Sequence, residues 1–278
     1  SKSIEARVAD LMSRMTLEDK VYQMNQFVGL EHMKKGNPED DKENNDAQGF
    51  YKTLSINDVT KMCEEGKIGS FLHVLTAKEA NYLQELALKS PLKIPVLIGI
   101  DAIHGNALVS GTTVYPSPIG LASTWNDDFL YSVGRQTAKE MRATGSHWTF
   151  TPNIDVLRDP RWGRVGETFG EDPYLVTQMG NQMIKGYQGD NNDVSNSNNV
   201  AVTLKHFLGY QTTISGKDRT PSFIPEHTLR ELHLPAFKSA IDMGAKSIMI
   251  NSGIINGIPT HADKYILTDI LRKELNFK

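Results

Sequence analysis

Short apolar runs rich in β-branched residues alternate along this chain with longer amphipathic segments. Ile68–Val74, Val96–Asp101, Thr149–Val156, Val200–Phe207 and Lys246–Asn251 read as strands; Ala77–Lys89, Asp127–Thr144, Tyr174–Tyr187 and His227–Met243 read as helices between them. Each helix is long enough to cross back over a sheet and start the next parallel strand. The strands are near-continuously apolar, as strands buried on both faces must be. This is the rhythm of an α/β fold of the TIM-like (β/α) barrel type, which a chain of 278 residues can build as one unit. Five or six strands can be counted before Lys278, and Leu271–Lys278 reads as the end of a helix. The barrel is therefore expected to be incomplete within residues 1–278, truncated before its last strands.

Ahead of this repeat, periodicity near 3.6 marks helices over Ile4–Met15 and Leu17–Phe27, with Thr16 placed to cap the second and Asp19 in its first turn, and a third over Ile56–Gly66. Between them the polar, Gly/Asn/Asp-rich stretch Glu31–Gly49 is expected to be an exposed loop. The single cysteine, Cys63, has no partner for an internal disulfide and is expected to be a small buried hydrophobe. A net charge of -3 from 30 basic and 33 acidic side chains, well mixed, gives no footprint for nucleic acid. No apolar run approaches the roughly 18 residues of a membrane helix, so no membrane association is expected. Ser1 is not followed by a charged segment and an apolar stretch, so a secretory signal is expected to be absent or already removed.

Several strands end abruptly in polar residues: Asp101, Asp155, Lys205, His206 and Asn251 lie at or just after such ends. In barrel enzymes those ends build the active site. The stretch Arg158–Asp159–Pro160–Arg161–Trp162–Gly163–Arg164, followed by Glu167 to Pro173, gathers three arginines and four carboxylates beside one tryptophan and one phenylalanine. Arginine offers a planar fork of donors suited to oxygen-rich ligands, although an ion-paired loop buttressing the rim would have the same composition. Lys205 and His206 are neighbours in a strand, where side chains normally point oppositely, so both can reach one pocket only through a bend or an unusual peptide. Asp101 alone could equally cap a helix. A metal site on Asp101, His104 and His206 fits no zinc spacing, and His73, His104, His206 and His261 fall on different elements, so neither metal nor organic cofactor is expected.

Gly99–Gly105, Asp155–Arg164, Glu167–Pro173 and Lys205–His206–Phe207 resemble the barrel-domain motifs of glycoside hydrolase family 3, in order, as do Met12–Lys20 and Asn256–Pro259. The resemblance covers nearly the whole chain. It implies the N-terminal barrel domain of a two-domain retaining β-glucosidase, acting from the non-reducing end on oligosaccharides such as cellobiose. Asp101 would accept hydrogen bonds from glucose hydroxyls, while Arg164, Lys205 and His206 hold its other oxygens. Met249, Ser252 and Trp162 are further candidates, with Trp125 and Trp148 as other aromatic walls.

The resemblance also implies that no catalytic carboxylate lies in this chain. The nucleophilic aspartate is expected shortly after Lys278, and the acid/base glutamate in a second α/β sandwich domain beyond residue 278. The partners are then β-linked glucosides and the remainder of the same polypeptide, with a homo-oligomer open. The resemblance also implies a periplasmic or secreted compartment. The loop Gly209–Arg219 lacks the Asp-x-His of the family's N-acetylhexosaminidases, and Ser252 stands where many relatives have tyrosine. A non-catalytic sugar-binding barrel, or a β-xylosidase or N-acetylhexosaminidase of the same family, are the alternative readings, the last weakened by the missing Asp-x-His.

Overall fold

Side chains placed to cap the helices decide where they begin. Thr16 Oγ1 accepts from the Asp19 amide at 3.1 Å and the Asp19 carboxylate accepts from the Thr16 amide at 2.9 Å, the reciprocal box its position predicts. Ser55 forms the same box with Asp58, and Ser3, Thr76 and Asp172 each accept one backbone N–H of the first turn. The structure, a computed structural model, describes residues 2–33 and 54–278. Its backbone divides into two compact units, Ser1–Ile100 with Thr144–Ser146, and Asp101–Ala143 with His147–Lys278.

The first unit holds α1 (Ile4–Arg14), α2 (Leu17–Tyr22), α3 (Ile56–Glu64) and α4 (Ala77–Ala87), with the parallel strands β1 (Gln26–Val28), β2 (Ser70–Leu72) and β3 (Leu97–Ile100) in that order. Its core joins Phe27, Val59, Cys63, Phe71, Leu83 and Ile98. Cys63 is buried as expected, and burial pushes its thiol up to about 11, which keeps it protonated and unreactive. The helix expected over Leu17–Phe27 stops at Tyr22, and its end is instead β1. Pairing Gln26, Phe27 and Val28 with Ser70, Phe71 and Leu72 outweighs the local helical periodicity. Of the polar stretch Glu31–Gly49, Glu31–Met33 falls in a short 3-10 helix, Leu30–Met33, and the remainder lies outside the described residues.

The second unit holds α5 (Pro118–Ala122), α6 (Asp127–Ala143) and α7 (Pro173–Gln188), and the parallel strands β4 (Trp148–Thr149), β5 (Ala201–Phe207) and β6 (Ser247–Ile250). The expected helix His227–Met243 begins as α8 (Glu226–Thr228), passes through a π-turn Leu229–His233 and ends as α9 (Leu234–Asp242). A hairpin, β7 (Ile254–Ile255) and β8 (Ile258–Pro259), turns at Asn256 and Gly257, both with positive φ, the conformation that favours Asn-Gly at this position. The strand expected over Thr149–Val156 is regular only to Thr149. Beyond it Pro152 has no N–H for a ladder, and the segment continues buried but irregular, joined to β5 where the Ile154 amide donates to the Lys205 carbonyl at 3.0 Å. Among the described residues no helix is long and apolar enough to cross a membrane.

Helices α6 and α7 meet through glycines. A Cβ on Gly186 would lie 2.5 Å from the Tyr131 carbonyl and 2.9 Å from the Gly134 Cα, and one on Gly134 would lie 2.9 Å from the Met183 carbonyl. All of these contacts are backbone, so they cannot yield without the helices separating. Gly186→Ala is accordingly expected to destabilise the fold by about 1–3 kcal/mol despite alanine's better helix propensity. A thermal unfolding midpoint unchanged or raised in that variant would contradict this account of the helix contact.

Candidate functional site

All the site residues lie in the second unit. Lys205, near the end of β5, is 2% exposed, and its ammonium sits 3.1 Å from Asp101 Oδ1 and 3.3 Å from Glu167 Oε2. An ammonium so removed from water requires opposite charge, and it has two carboxylates. Glu167 is in turn gripped by Arg164, whose Nε and terminal nitrogen each donate at 2.8 Å to a different carboxylate oxygen. The 3-10 turn Val165–Glu167 places the two side chains on one side at that spacing. Burial pushes the Glu167 carboxyl upward, but the Arg164 fork and the Lys205 ammonium outweigh it and hold the group below its ordinary value of 4.5. Burial likewise disfavours the Arg164 cation, and the paired Glu167 carboxylate reverses the sign, raising its pKa. Asp101, following β3, keeps about a third of its side chain exposed, at 31%.

Beside this cluster, His206 donates from Nδ1 to Asp155 Oδ2 at 2.8 Å, and both residues are almost wholly buried. Burial lowers the imidazole pKa, with Arg164 and Lys205 adding to that, and the Asp155 carboxylate opposes it without prevailing. The His206 ring packs on Tyr210 at 4.4 Å between centroids, and Tyr210 meets Trp162 edge-on at 5.6 Å. The Arg164 guanidinium lies 5.8 Å from both aromatic rings. Lys205 and His206 thus both join one group of residues. The peptide between them is cis, as is Phe207–Leu208, and the β5–β6 register shifts between Leu204 and Phe207, where regular alternation breaks.

The four residues expected to bind sugar are therefore gathered: Asp101 and Lys205 in direct contact, Arg164 through Glu167, and His206 next along β5. Trp162 is buried, its indole N–H donating to Asp218 at 3.0 Å, which makes it a support for Arg164 and Tyr210. Ser252 stands close by and its hydroxyl donates to the Tyr210 hydroxyl at 3.4 Å; Met249 is half-buried on β6. Asn251 is no pocket residue: its side chain donates to the Leu208 carbonyl and its backbone amide to the Phe207 carbonyl, holding that bend. Trp148 is also structural, donating to Thr203 at 2.6 Å and Ser247 at 3.1 Å across β5 and β6, while Trp125 is 69% exposed. His104 bonds the Tyr115 carbonyl. Glu167, Asp155 and Tyr210 were not singled out as site residues. The only local signal for Glu167 is its spacing of three from Arg164, and for Asp155 its place at a strand end.

Residues 16–278 match the glycosyl hydrolase family 3 N terminal domain. The chain belongs to that family. It is 37% identical to a lysosomal beta glucosidase of Dictyostelium discoideum, over 98% of this chain and 34% of that protein. It is 39% identical to a beta-xylosidase of Formosa agariphila, over 76% of this chain and 30% of that one. The crystal structure of a Listeria innocua beta-glucosidase in complex with glucose superposes with a TM-score of 0.84 at 32% identity, covering 99% of this chain and 36% of that one. The shared fold is the family's α/β, TIM-like barrel, incomplete in these residues as the strand count implied. The chain spans about a third of the length of these relatives.

Glu167 makes a test of the cluster. Because its folded carboxyl lies below 4.5, the stability it contributes is fully present above that value and is lost as pH falls through the folded value. Glu167→Gln is expected to cost about 1–3 kcal/mol at neutral pH, since the buried Lys205 and Arg164 lose a shared charge. The difference between parent and variant in thermal unfolding should hold from about pH 7 to pH 5 and shrink in stronger acid. A difference that grows on acidification would contradict the arrangement.

Proposed function

We propose that this chain supplies the glucose-binding part of a retaining, exo-acting β-glucosidase that removes terminal non-reducing β-D-glucosyl residues from oligosaccharides such as cellobiose. The observation that carries this reading is the contact between Asp101 and the buried Lys205, with Arg164 and His206 held beside it. A sugar ring presents hydroxyls that both donate and accept, so its recognition calls for a carboxylate acceptor and cationic donors at one place. Asp101 retains exposed surface for such a ligand, and the Lys205 ammonium has a third N–H beyond the two carboxylates it pairs with.

In a retaining glycosidase one carboxylate attacks the anomeric carbon while another, about 5 to 5.5 Å away, protonates the leaving oxygen and then activates water. Asp101 and Glu167 are both committed to Lys205, and Asp155 to His206, which suits holding and orienting more than attack. We assign the nucleophilic aspartate to a barrel strand soon after Lys278 and the acid/base to a second α/β sandwich domain beyond it. That the relatives are about three times longer supports this division. A periplasmic or secreted location rests on the family, and the Dictyostelium relative named lysosomal is likewise outside the cytosol.

The similarity to the Formosa beta-xylosidase favours one second reading, a β-xylosidase, since xylose lacks the hydroxymethyl group of glucose. Turnover of chromogenic β-glucoside and β-xyloside by the full-length protein separates the two. Asp101→Asn is expected to lower kcat/KM on the preferred substrate by about 10- to 100-fold, the worth of hydrogen bonds to a charged acceptor. Full activity in a folded Asp101→Asn variant would sink the assignment, and a folded parent that binds glucose without cleaving any glycoside would point to a binding protein.

A further inference from the structure

We infer that Asp155 is a positioning residue that fixes His206 with its ring proton on Nδ1, so that His206 meets a sugar hydroxyl as a hydrogen-bond acceptor at Nε2. This rests on the reading of the pocket as a sugar site. The Asp155 carboxylate is 2% exposed and directs a single oxygen, Oδ2, at both the His206 Nδ1, 2.8 Å away, and the His206 backbone amide, 3.3 Å away. An ionised carboxylate only accepts, so the proton between it and the ring belongs to Nδ1. A neutral imidazole has one N–H, and Nε2 is then a bare lone pair.

Two further features keep that state in place. The ring cannot flip cheaply, because Tyr210 packs on it at 4.4 Å and a flip would set a carbon against the carboxylate. Lys205 and Arg164 are close enough to disfavour a second positive charge, and burial acts in the same direction. Behind the dyad, His233 is also held neutral, burial lowering it to about 4, so the nearby imidazole adds no cation. The site then offers two kinds of contact: donors from Lys205 and Arg164, and acceptors at Asp101 and His206 Nε2. The hydroxyl facing His206 must donate, which sets a requirement on the substrate that a cationic histidine would not.

The test uses the full-length protein and the p-nitrophenyl β-glucoside with its monodeoxy and monofluoro analogues. Fluorine cannot donate a hydrogen bond. The ring position facing His206 is the one whose deoxy penalty collapses in His206→Ala. At that position the parent's fluoro-to-deoxy ratio of kcat/KM, which also carries fluorine's inductive effect on the oxocarbenium-like transition state, is the reference for the variants. In Asp155→Asn the new amide can donate to Nδ1, which moves the ring proton to Nε2. The variant should lose tenfold or more on the parent glucoside, with its fluoro-to-deoxy ratio raised above the parent's. An Asp155→Asn variant that loses the same factor on every substrate, with the fluoro-to-deoxy ratio unchanged, would make Asp155 merely structural. Nitrogen NMR of histidine-labelled parent protein, with His206 assigned through His206→Gln, reads the tautomer without any sugar. A proton on Nε2 overturns the inference, whereas a proton on Nδ1 in a protein that neither binds nor cleaves sugars leaves the Asp155–His206 tautomer standing and removes both the proposed function and the contact with a sugar hydroxyl.

Discussion

The site depends on a buried ammonium. Lys205 is 2% exposed, on a strand whose other residues are also largely buried, and it is stable there because Asp101 and Glu167 approach from other parts of the second unit. That single requirement organises much around it. Glu167 must be held by a residue that can engage both its oxygens, and Arg164 does so from three positions earlier. Arg164 in turn needs a surface, and the Trp162 and Tyr210 rings provide it. The Tyr210 ring also carries His206, so the charged cluster and the Asp155–His206 pair share one support. Just before Tyr210, Gly209 has φ +66 and packs so closely that a Cβ would fall 2.5 Å from Ile224 Cδ1, which ties this turn to glycine.

The cluster is balanced in charge, two cations against two carboxylates, and each group is held in place before any ligand arrives. Preorganised polar groups in a partly dehydrated pocket bind oxygen-rich ligands without the cost of ordering long side chains first. Asp101, at 31%, is the most exposed of the four side chains, with Glu167 at 25%, Arg164 at 22% and Lys205 buried. The chain belongs to glycosyl hydrolase family 3, and its fold superposes on that of a glucose-bound relative.

The strand ends were legible in the sequence because a charged residue closing an apolar run violates the periodicity around it, and Asp101, Asp155, Lys205 and His206 all did so. Their pairing was not. Asp101 and Lys205 are 104 residues apart, and Asp155 and His206 are 51 apart, distances over which no local pattern speaks. Glu167 was visible only as one of four carboxylates in a charged stretch. Its choice is made by the 3-10 turn that sets it beside Arg164 and by the lysine arriving from β5. Two fold expectations fail for different reasons: pairing with β2 overrides the helical periodicity at Gln26–Val28, whereas beyond Thr149 the strand is interrupted at Pro152, a residue visible in the sequence. The Asn256–Gly257 hairpin had a clear turn signal that was read only as part of a family motif.

On the proposed function, this prearranged cluster holds the ring of a terminal glucose. A crystal structure of the full-length protein soaked with glucose tests it most directly. The account predicts a sugar whose hydroxyls lie within about 3.2 Å of the Asp101 carboxylate, the Lys205 ammonium, the Arg164 guanidinium and the His206 Nε2, with the Lys205–Glu167 and His206–Asp155 pairs unchanged. Glucose bound elsewhere in the barrel, with the Asp101 and Lys205 side chains untouched, would contradict it.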